Sequence, residues 1–536
     1  MSKPAGNALI SVYNKTGIET FARGLTELGW KVFASGGTAK ALEAAGIPVT
    51  DVAALVGGEA ILGHRVVTLS REIHAGILAD KTADHTAELE RLGIPRIDLV
   101  CVDMYPLREA ISKPDSTETS VIELTDIGGP TMLRGAAKGR RIVVSLASQR
   151  KDVLEWLQAG KPEEEAFLRT LAAQAELEVA AYVLESARYL GGAEVAGFIG
   201  KRIAVPKYGE NPWQGNAGLF AIDSQDDLAI SKFALQEGSE LSFNNYADVD
   251  RLLQTITHIA AGFERNYGKV PAIALGAKHG NVCGAAVADT PADAIKNMLA
   301  GDPRAIFGGS VMLNFPVTRE VADLLMTHGV DTGKRLLDVV AAAGADEDVL
   351  ASLRRKGGKL RVFTNPALDS LGEGSLDQAQ RFRYVRGGML AQDNYTYVLD
   401  TTASELERQG DVSETITKDL VLAWAIGSTS NSNTISLVKN GMLIGNGVGQ
   451  QDRVSAAELA IKRARDAGHD VTGAVAYSDS FFPFPDGPQV LAQAGVTAIL
   501  ASRGSVQDGA VLGAMQEAGV AFCTLPDATA RGFYAH

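Results

Sequence analysis

Three basic or polar side chains stand together in "KHGNVCG", Lys278 to Gly284, straight after the apolar run "PAIALGA". An imidazole titrates near neutrality and is a ready general base. An adjacent ammonium would hold a developing oxyanion and favour the neutral, basic ring. In a continuing strand Lys278 and His279 would point to opposite faces. They share a pocket only if the strand stops there, which Gly280 and Gly284 allow. The plainer alternative is a capping histidine beside a solvated lysine.

Other stretches carry weaker signals. "ASGGTAKAL" places Ser35, Gly36, Gly37 and Thr38 between a strand and a helix. Glycines admit close backbone approach, and free N–H groups at a helix start attract phosphate. The plainer reading is an ordinary turn with Thr38 as helix cap. "TDIGGPTMLRGAAKGRR" holds Asp126, Gly128, Gly129 and Lys138, with Pro130 suited to a first helical position. Lys138 would lie roughly 12 Å along the helix from Pro130. It could flank a substrate with Asp126 only if the helix bends or breaks at Gly135. Tyr105 in "VDMYP" sits at the C-terminal end of a strand, where open parallel sheets bind ligands. "YSDSFFPFPDG" sets Phe481, Phe482 and Phe484 between prolines beside Asp486, either a stacking platform for a flat heterocycle or a plug over a core. "STSNSNTISLVKNG" and "GNGVGQQDR" are polar and Gly-rich, as a site wall would be.

Elements that could position these residues alternate along the chain. "NALISVY", "KVFAS", "IPVTDV", "RIDLVCVDMYP" and "RRIVVSLA" read as strands, with helical patterns such as "TGIETFARGLTELG" between them. Alternation with short Gly-rich turns predicts a parallel sheet covered on both faces over residues 1 to about 150. A long helix is predicted over 163–190, and the main domain boundary near residue 198. Beyond it "VPAIALGA", "GMLIGNG", "GAVAYSD" and "VTAILAS" read as strands, and "PADAIKNMLAG", "SAAELAIKRARDAG" and "DGAVLGAMQEAG" as helices. The stretches around 273–300 and 442–468 echo each other weakly, as a duplication or as two ordinary α/β units.

Composition narrows the classes. The 536 residues, 46% hydrophobic and 21% charged, suit a globular protein of about three or four domains or subdomains. A net charge of −13 without a basic tract argues against nucleic acid and acidic membranes as partners. Cys101, Cys283 and Cys523 form no CxxC pair, so a cysteine zinc site or disulfide framework is not expected. With no apolar signal region and no membrane-length apolar run, a cytoplasmic protein is expected. No GxxxxGK[ST] loop, no GxGxxG opening the first helix and no HxE with PCxxC occurs, which argues against ATP-driven chemistry and a zinc deaminase.

Taken together, "SVYNKTGI", "ASGGTAKAL", "IHAGILAD", "TDIGGPTMLRGAAK", "KYGENPWQ", "LSFNNYAD", "KHGNVCG", "RGGMLAQ", "NTISLVKNG", "GVGQQDR", "DSFFPFPD" and "RGFYAH" resemble, in order, the bifunctional AICAR transformylase/IMP cyclohydrolase family of purine biosynthesis. The resemblance implies an α/β protein. A methylglyoxal-synthase-like parallel-sheet domain would span 1–198. Duplicated cytidine-deaminase-like α/β subdomains without zinc would span 199–536. It implies formyl transfer from 10-formyltetrahydrofolate to the 5-amino group of AICAR, then cyclisation to IMP. A homodimer with transformylase sites at its interface is also implied, with no nucleic acid or membrane partner and no metal.

By resemblance His279 would be the base, Lys278 the oxyanion holder, and Asn433 would orient the reacting groups. Lys207, Tyr208, Gly308, Asp338, Arg453, Phe481 and Arg531 would hold AICAR, and Val454, Asp486 and Ser505 would face the folate. For cyclisation Lys15, Ser35, Gly36, Gly37, Thr38, Arg65, Thr68 and Ile127 would bind the nucleotide. Tyr105, Asp126 and Lys138 would serve the chemistry. The sequence departs from the family's pattern at several positions. Val67 stands for a lysine, Ser70 for a histidine, Asp103 for an asparagine, Lys207 for an arginine, Trp213 for a histidine and Val282 for a proline. An isopropyl group at Val67 cannot hold an oxygen. Two alternatives stay open, a transformylase with an inactive N-terminal nucleotide-binding domain, and a non-catalytic purine-nucleotide-binding regulator.

Overall fold

A computed structural model describes residues 4–62, 66–222 and 224–534. The chain divides into two compact units, Met1–Lys201 and Arg202–His536. In the first, β1 (Asn7–Ser11), β2 (Lys31–Ala34), β3 (Thr50–Asp51), β4 (Leu99–Val102) and β5 (Ile142–Val144) form one sheet. Its order is β3-β2-β1-β4-β5, and every pairing is parallel. Alternate residues of a strand face opposite sides. Accordingly Ala8 and Ile10 of β1 join one core with Phe21 and Leu25, while Leu9 joins another with Phe33, Val100 and Met132. Strands buried on both faces need helices on both, as the alternating sequence predicts.

The second unit holds two ribbons and a large mixed sheet. The ribbons are β6 (Lys201–Ala204) with β7 (Leu219–Ala221), and β14 (Arg381–Val385) with β15 (Gly388–Gln392). The sheet contains β8 (Ala234–Glu237), β9 (Ala272–Lys278), β10 (Asn281–Ala288), β11 (Gly309–Leu313), β12 (Leu337–Ala342) and β13 (Arg361–Thr364). It continues with β16 (Glu407–Gln409), β17 (Ile435–Lys439), β18 (Met442–Gly447), β19 (Val475–Ser478), β20 (Ala498–Arg503) and β21 (Ala521–Pro526).

Counted outward from a seam between β10 and β18, one half runs β10-β9-β11-β12-β13-β8 and the other β18-β17-β19-β20-β21-β16. The parallel and antiparallel pairings follow in the same sequence in both halves. The unit is therefore built from one design used twice. The repeat starts earlier than the weak sequence echo, at β8 and β16, each followed by a helix, Phe243–Tyr267 and its counterpart Glu414–Gly427. Both helices are capped by a serine, Ser242 or Ser413, whose side chain accepts a first-turn N–H. They pack on one sheet face in a core common to both halves. On the other face each half has its own core, around Met298 and Leu325 in one and Ala460 and Leu491 in the other.

Candidate functional sites

In the first unit, the ends of β1 and β2 bring together the residues of the Gly-rich turn. Ser35, rather than Thr38, is the cap residue of the helix Gly36–Ala44, and no side chain caps the first-turn N–H groups. Thr38 is buried, and its hydroxyl bonds both the N–H and the carbonyl of Val12. The Ser11 and Ser35 hydroxyls are 3.3 Å apart. The Lys15 ammonium bonds the Val12 and Tyr13 carbonyls, and its Cε borders Gly37. Burial lowers its pKa, partly offset by Asp103. The Ser35 hydroxyl, the uncapped N–H groups of this helix and Lys15 thus lie close together at the ends of β1 and β2.

A second cluster adjoins it. Asp103 accepts from the N–H groups of Tyr13 and Asn14. The Tyr13 and Tyr105 rings meet edge to face at 5.5 Å. The Tyr105 N–H donates to Asp126 at 3.4 Å, and the Gly129 N–H does so at 2.8 Å. Thr68 Oγ1 would lie 2.9 Å from a Cβ at Gly128, so a methyl there would crowd the hydroxyl. Burial raises the pKa of both Asp103 and Asp126, and each carboxylate sits near the other. Ile127 is exposed beside this cluster.

Lys138 stands elsewhere. The helix runs unbroken through Gly135 from Gly128 to Lys138, and Pro130 is its third residue rather than its first. Its length holds Lys138 about 15 Å along the axis from the Asp126 end. Val67 packs against the apolar core, and Ser70 caps the helix Arg71–Leu78 by accepting from the Ile73 N–H. Both unusual residues have structural partners. Arg65 lies outside the described residues.

In the second unit β9 ends at Lys278, and a two-residue turn follows, with His279 at φ 54° and Gly280 at φ 70°. Paired positive φ values make the tight hairpin turn that suits strand twist. His279 is exposed on it. The Lys278 ammonium bonds the Phe307 carbonyl at 2.8 Å, next to Gly308, itself at φ 73° with open space beside it. Asp248 accepts from the Gly280 N–H at 2.7 Å and from the Ser310 hydroxyl. Burial raises its pKa, and Asp338 also acts in that direction while His279 opposes it. Asp338 pairs with Arg355 at 3.3 Å. Lys278, His279, Gly308 and Asp338 therefore border one region.

The other half supplies a facing set. Asn433 bonds the Gln450 carbonyl through its side chain at 3.0 Å and through its backbone N–H at 3.1 Å. Arg453 pairs with buried Asp479 at 3.2 Å, leaving Asp479 Oδ2 and Arg453 Nε without partners among the described residues. Burial raises the Asp479 pKa. Gly487, next to Asp486, lies against Phe482 and Arg453. The Arg531 guanidinium lies 5.8 Å from the Phe481 ring centroid and pairs with Asp527, which also accepts from Ser480 and Ser502. Gly504, preceding Ser505, borders Asp527. Val454 opens the helix Arg453–Asp466 directly after Arg453. Lys207 and Tyr208 lie on the 205–218 loop, tied to the helix Phe243–Tyr267 by the Asn244 amide bonding the Glu210 carbonyl.

Arg251 joins the two sets. Its Nε donates to the Gly280 carbonyl at 3.1 Å, and its Nη2 to the Thr429 carbonyl at 3.1 Å and Asn431 Oδ1 at 2.8 Å. Tyr534 stacks on this guanidinium at 4.4 Å and on that of Arg381 at 3.5 Å. Sequence reasoning missed Asp248, Arg251 and Asp479. Asp248 and Asp479 sit inside quoted motifs, "LSFNNYAD" and "DSFFPFPD", but nothing local distinguishes them from helix or loop carboxylates.

Comparison with known proteins covers both units. The description "AICARFT/IMPCHase bienzyme" matches residues 136–463, and "MGS-like domain" matches residues 17–131. The bifunctional purine biosynthesis protein PurH of Anoxybacillus flavithermus is 36% identical over 528 residues, 96% of this chain and 97% of its own. Its namesake from Aquifex aeolicus is 34% identical over 526 residues, with the same coverage. A solved structure described as "Crystal structure of ForH" is 37% identical but spans 36% of this chain and all of its own at a TM-score of 0.32, which adds no argument. On the extent of these matches, the chain belongs to the AICARFT/IMPCHase bienzyme family.

Proposed function

We infer that the second unit transfers a formyl group from 10-formyltetrahydrofolate to the 5-amino group of AICAR, and that the first closes the product to IMP with loss of water. The observation carrying this reading is the exposed His279 on a turn that Asp248 holds through the Gly280 N–H and Arg251 through the Gly280 carbonyl. The amine of an aromatic carboxamide is a weak nucleophile and needs help. Its nitrogen attacks the formyl carbon, and His279 takes the N–H proton. Lys278 stabilises the oxyanion until the bond to folate N10 breaks and that nitrogen is protonated. Asn433 orients the reacting groups. Lys207, Tyr208, Gly308, Asp338, Arg453, Phe481 and Arg531 hold AICAR, and Val454, Asp486 and Ser505 face the folate.

In the first unit the Lys15, Ser35–Thr38 cradle takes the nucleotide phosphate, while Thr68 and Ile127 border the base. Tyr105 and Asp126 stand where the carboxamide nitrogen closes on the formyl carbon. A second reading, transformylase alone, is favoured by Val67 packed in the core and Lys138 far along its helix. The assembly is a homodimer, which accords with the exposed apolar side chains Tyr384, Leu390 and Met389 on the β14–β15 ribbon. We assign the protein to the cytoplasm, in keeping with three free thiols.

One experiment tests these readings together. AICAR and 10-formyltetrahydrofolate are supplied and the product identified. IMP supports both activities, accumulating formyl-AICAR supports the single-activity reading, and no turnover defeats both.

A further inference from the structure

The duplicated half offers an internal control for the turn that carries His279. Ser242 and Asp248 in one helix correspond to Ser413 and Asp419 in the other, at the same spacing. Asp419 accepts from the N–H groups of Asn440 (2.8 Å) and Gly441 (2.7 Å), as Asp248 accepts from Gly280. The fold thus calls for a carboxylate under each turn. One helical turn further on, on the same face, the halves part. The first has Arg251, and the second has Leu422, fully buried. The design folds with an apolar residue there, so the hairpin does not require the arginine.

Arg251 adds a tie that the twin lacks. It grips the Gly280 carbonyl, while Asp248 holds the N–H of the same residue. With the same guanidinium it grips Thr429 and Asn431 on the loop leading to Asn433. His279 itself sits at positive φ, a conformation that a non-glycine residue keeps only when its surroundings fix it. We propose that Arg251 is a positioning residue for formyl transfer, holding the His279 turn and the Asn433 loop in one fixed register. A planar fork serves this better than an ammonium, because its separate nitrogens reach both elements without drawing all the acceptors to one point.

The inference rests on formyl transfer at His279, and the test separates the two. Steady-state kinetics are measured for the full-length wild type and for Arg251→Leu, Arg251→Lys, Asp419→Asn and His279→Ala. Thermal melts run alongside. Leucine copies the twin helix, so Arg251→Leu should fold. Its kcat should fall about tenfold or more, as misplacement of reacting groups does, with the KM for AICAR within about threefold. Arg251→Lys should restore kcat only in part. Asp419→Asn should lower the melting temperature and leave kcat alone. Arg251→Leu at wild-type kcat overturns the inference, as does a rise in KM alone. So does a loss of kcat that Asp419→Asn reproduces at a similar melting temperature. If His279→Ala keeps full turnover, the reading of His279 fails and the inference with it.

Discussion

The two halves of the large sheet present the same hairpin twice, and the difference between the turns separates scaffold from chemistry. In both, a lysine closes the first strand and its ammonium reaches backbone carbonyls of the loop before the third strand. Lys278 bonds Phe307, and Lys439 bonds Asp470 and Thr472. In both, a residue at positive φ precedes a glycine, His279–Gly280 or Asn440–Gly441. Asparagine is at home in that conformation, and histidine is less so. The second turn is what the hairpin prefers by itself. The first gives up some of that preference to display an imidazole, and adds Arg251 to fix it.

The strongest way to break the comparison is to make the turns alike. His279→Asn should fold as well as the wild type or slightly better, and should lose formyl transfer by about a hundredfold or more, the usual worth of a general base. Retained turnover would show the histidine to be decoration. Next, Lys278→Met loses one carbonyl contact and Lys439→Met loses two, each contact worth about 1 kcal/mol in a melt. Only Lys278→Met should also lower kcat, and equal kinetics would erase the distinction. Third, Gly280→Ala and Gly441→Ala both place a Cβ at positive φ, costing about 1 kcal/mol. Gly441→Ala should cost more, since its Cβ would lie 2.9 Å from the Val287 carbonyl, against 3.4 Å from a flexible Arg251 carbon at Gly280. Denaturant unfolding would rank them.

The smallest effect is a pH dependence. Burial raises the pKa of Asp248 and of Asp419. The folded state then holds their protons more tightly than the unfolded chain does. Stability from this source is full below the ordinary carboxylate pKa and declines as pH rises toward the raised folded value. Asp419→Asn should therefore flatten the melting profile from about pH 4 upward. An unchanged slope would show that this carboxylate is not the source.

Much of this architecture could be read from the chain alone, for identifiable reasons. The parallel sheet followed from local alternation of apolar runs and helical patterns. The break of β9 at Lys278 was left open by the sequence, and Gly280 makes it, whereas Gly284 lies inside β10. Thr38 was misplaced as a cap because hydroxyls at the start of a helix look alike until one finds a partner, here Val12. Bringing Lys138 beside Asp126 would have needed a break that the helix does not contain. The duplication was only faintly legible, because the halves share strand order and a few turn residues, and strand order is written in long-range pairing. Arg251 was invisible for the same reason. Its partners at Gly280 and Asn431 are 29 and 180 residues away along the chain.

The seam joining β10 to β18, with Ala286 facing Met442 and the Val287 N–H bonded to the Gly441 carbonyl at 3.0 Å, makes the twelve strands one plate. A plate cannot close like a jaw on what it binds without tearing its own ladder. Within the chain, the His279 turn and the Thr429–Asn431 segment that Arg251 ties together are consequently set at their separation when the protein folds.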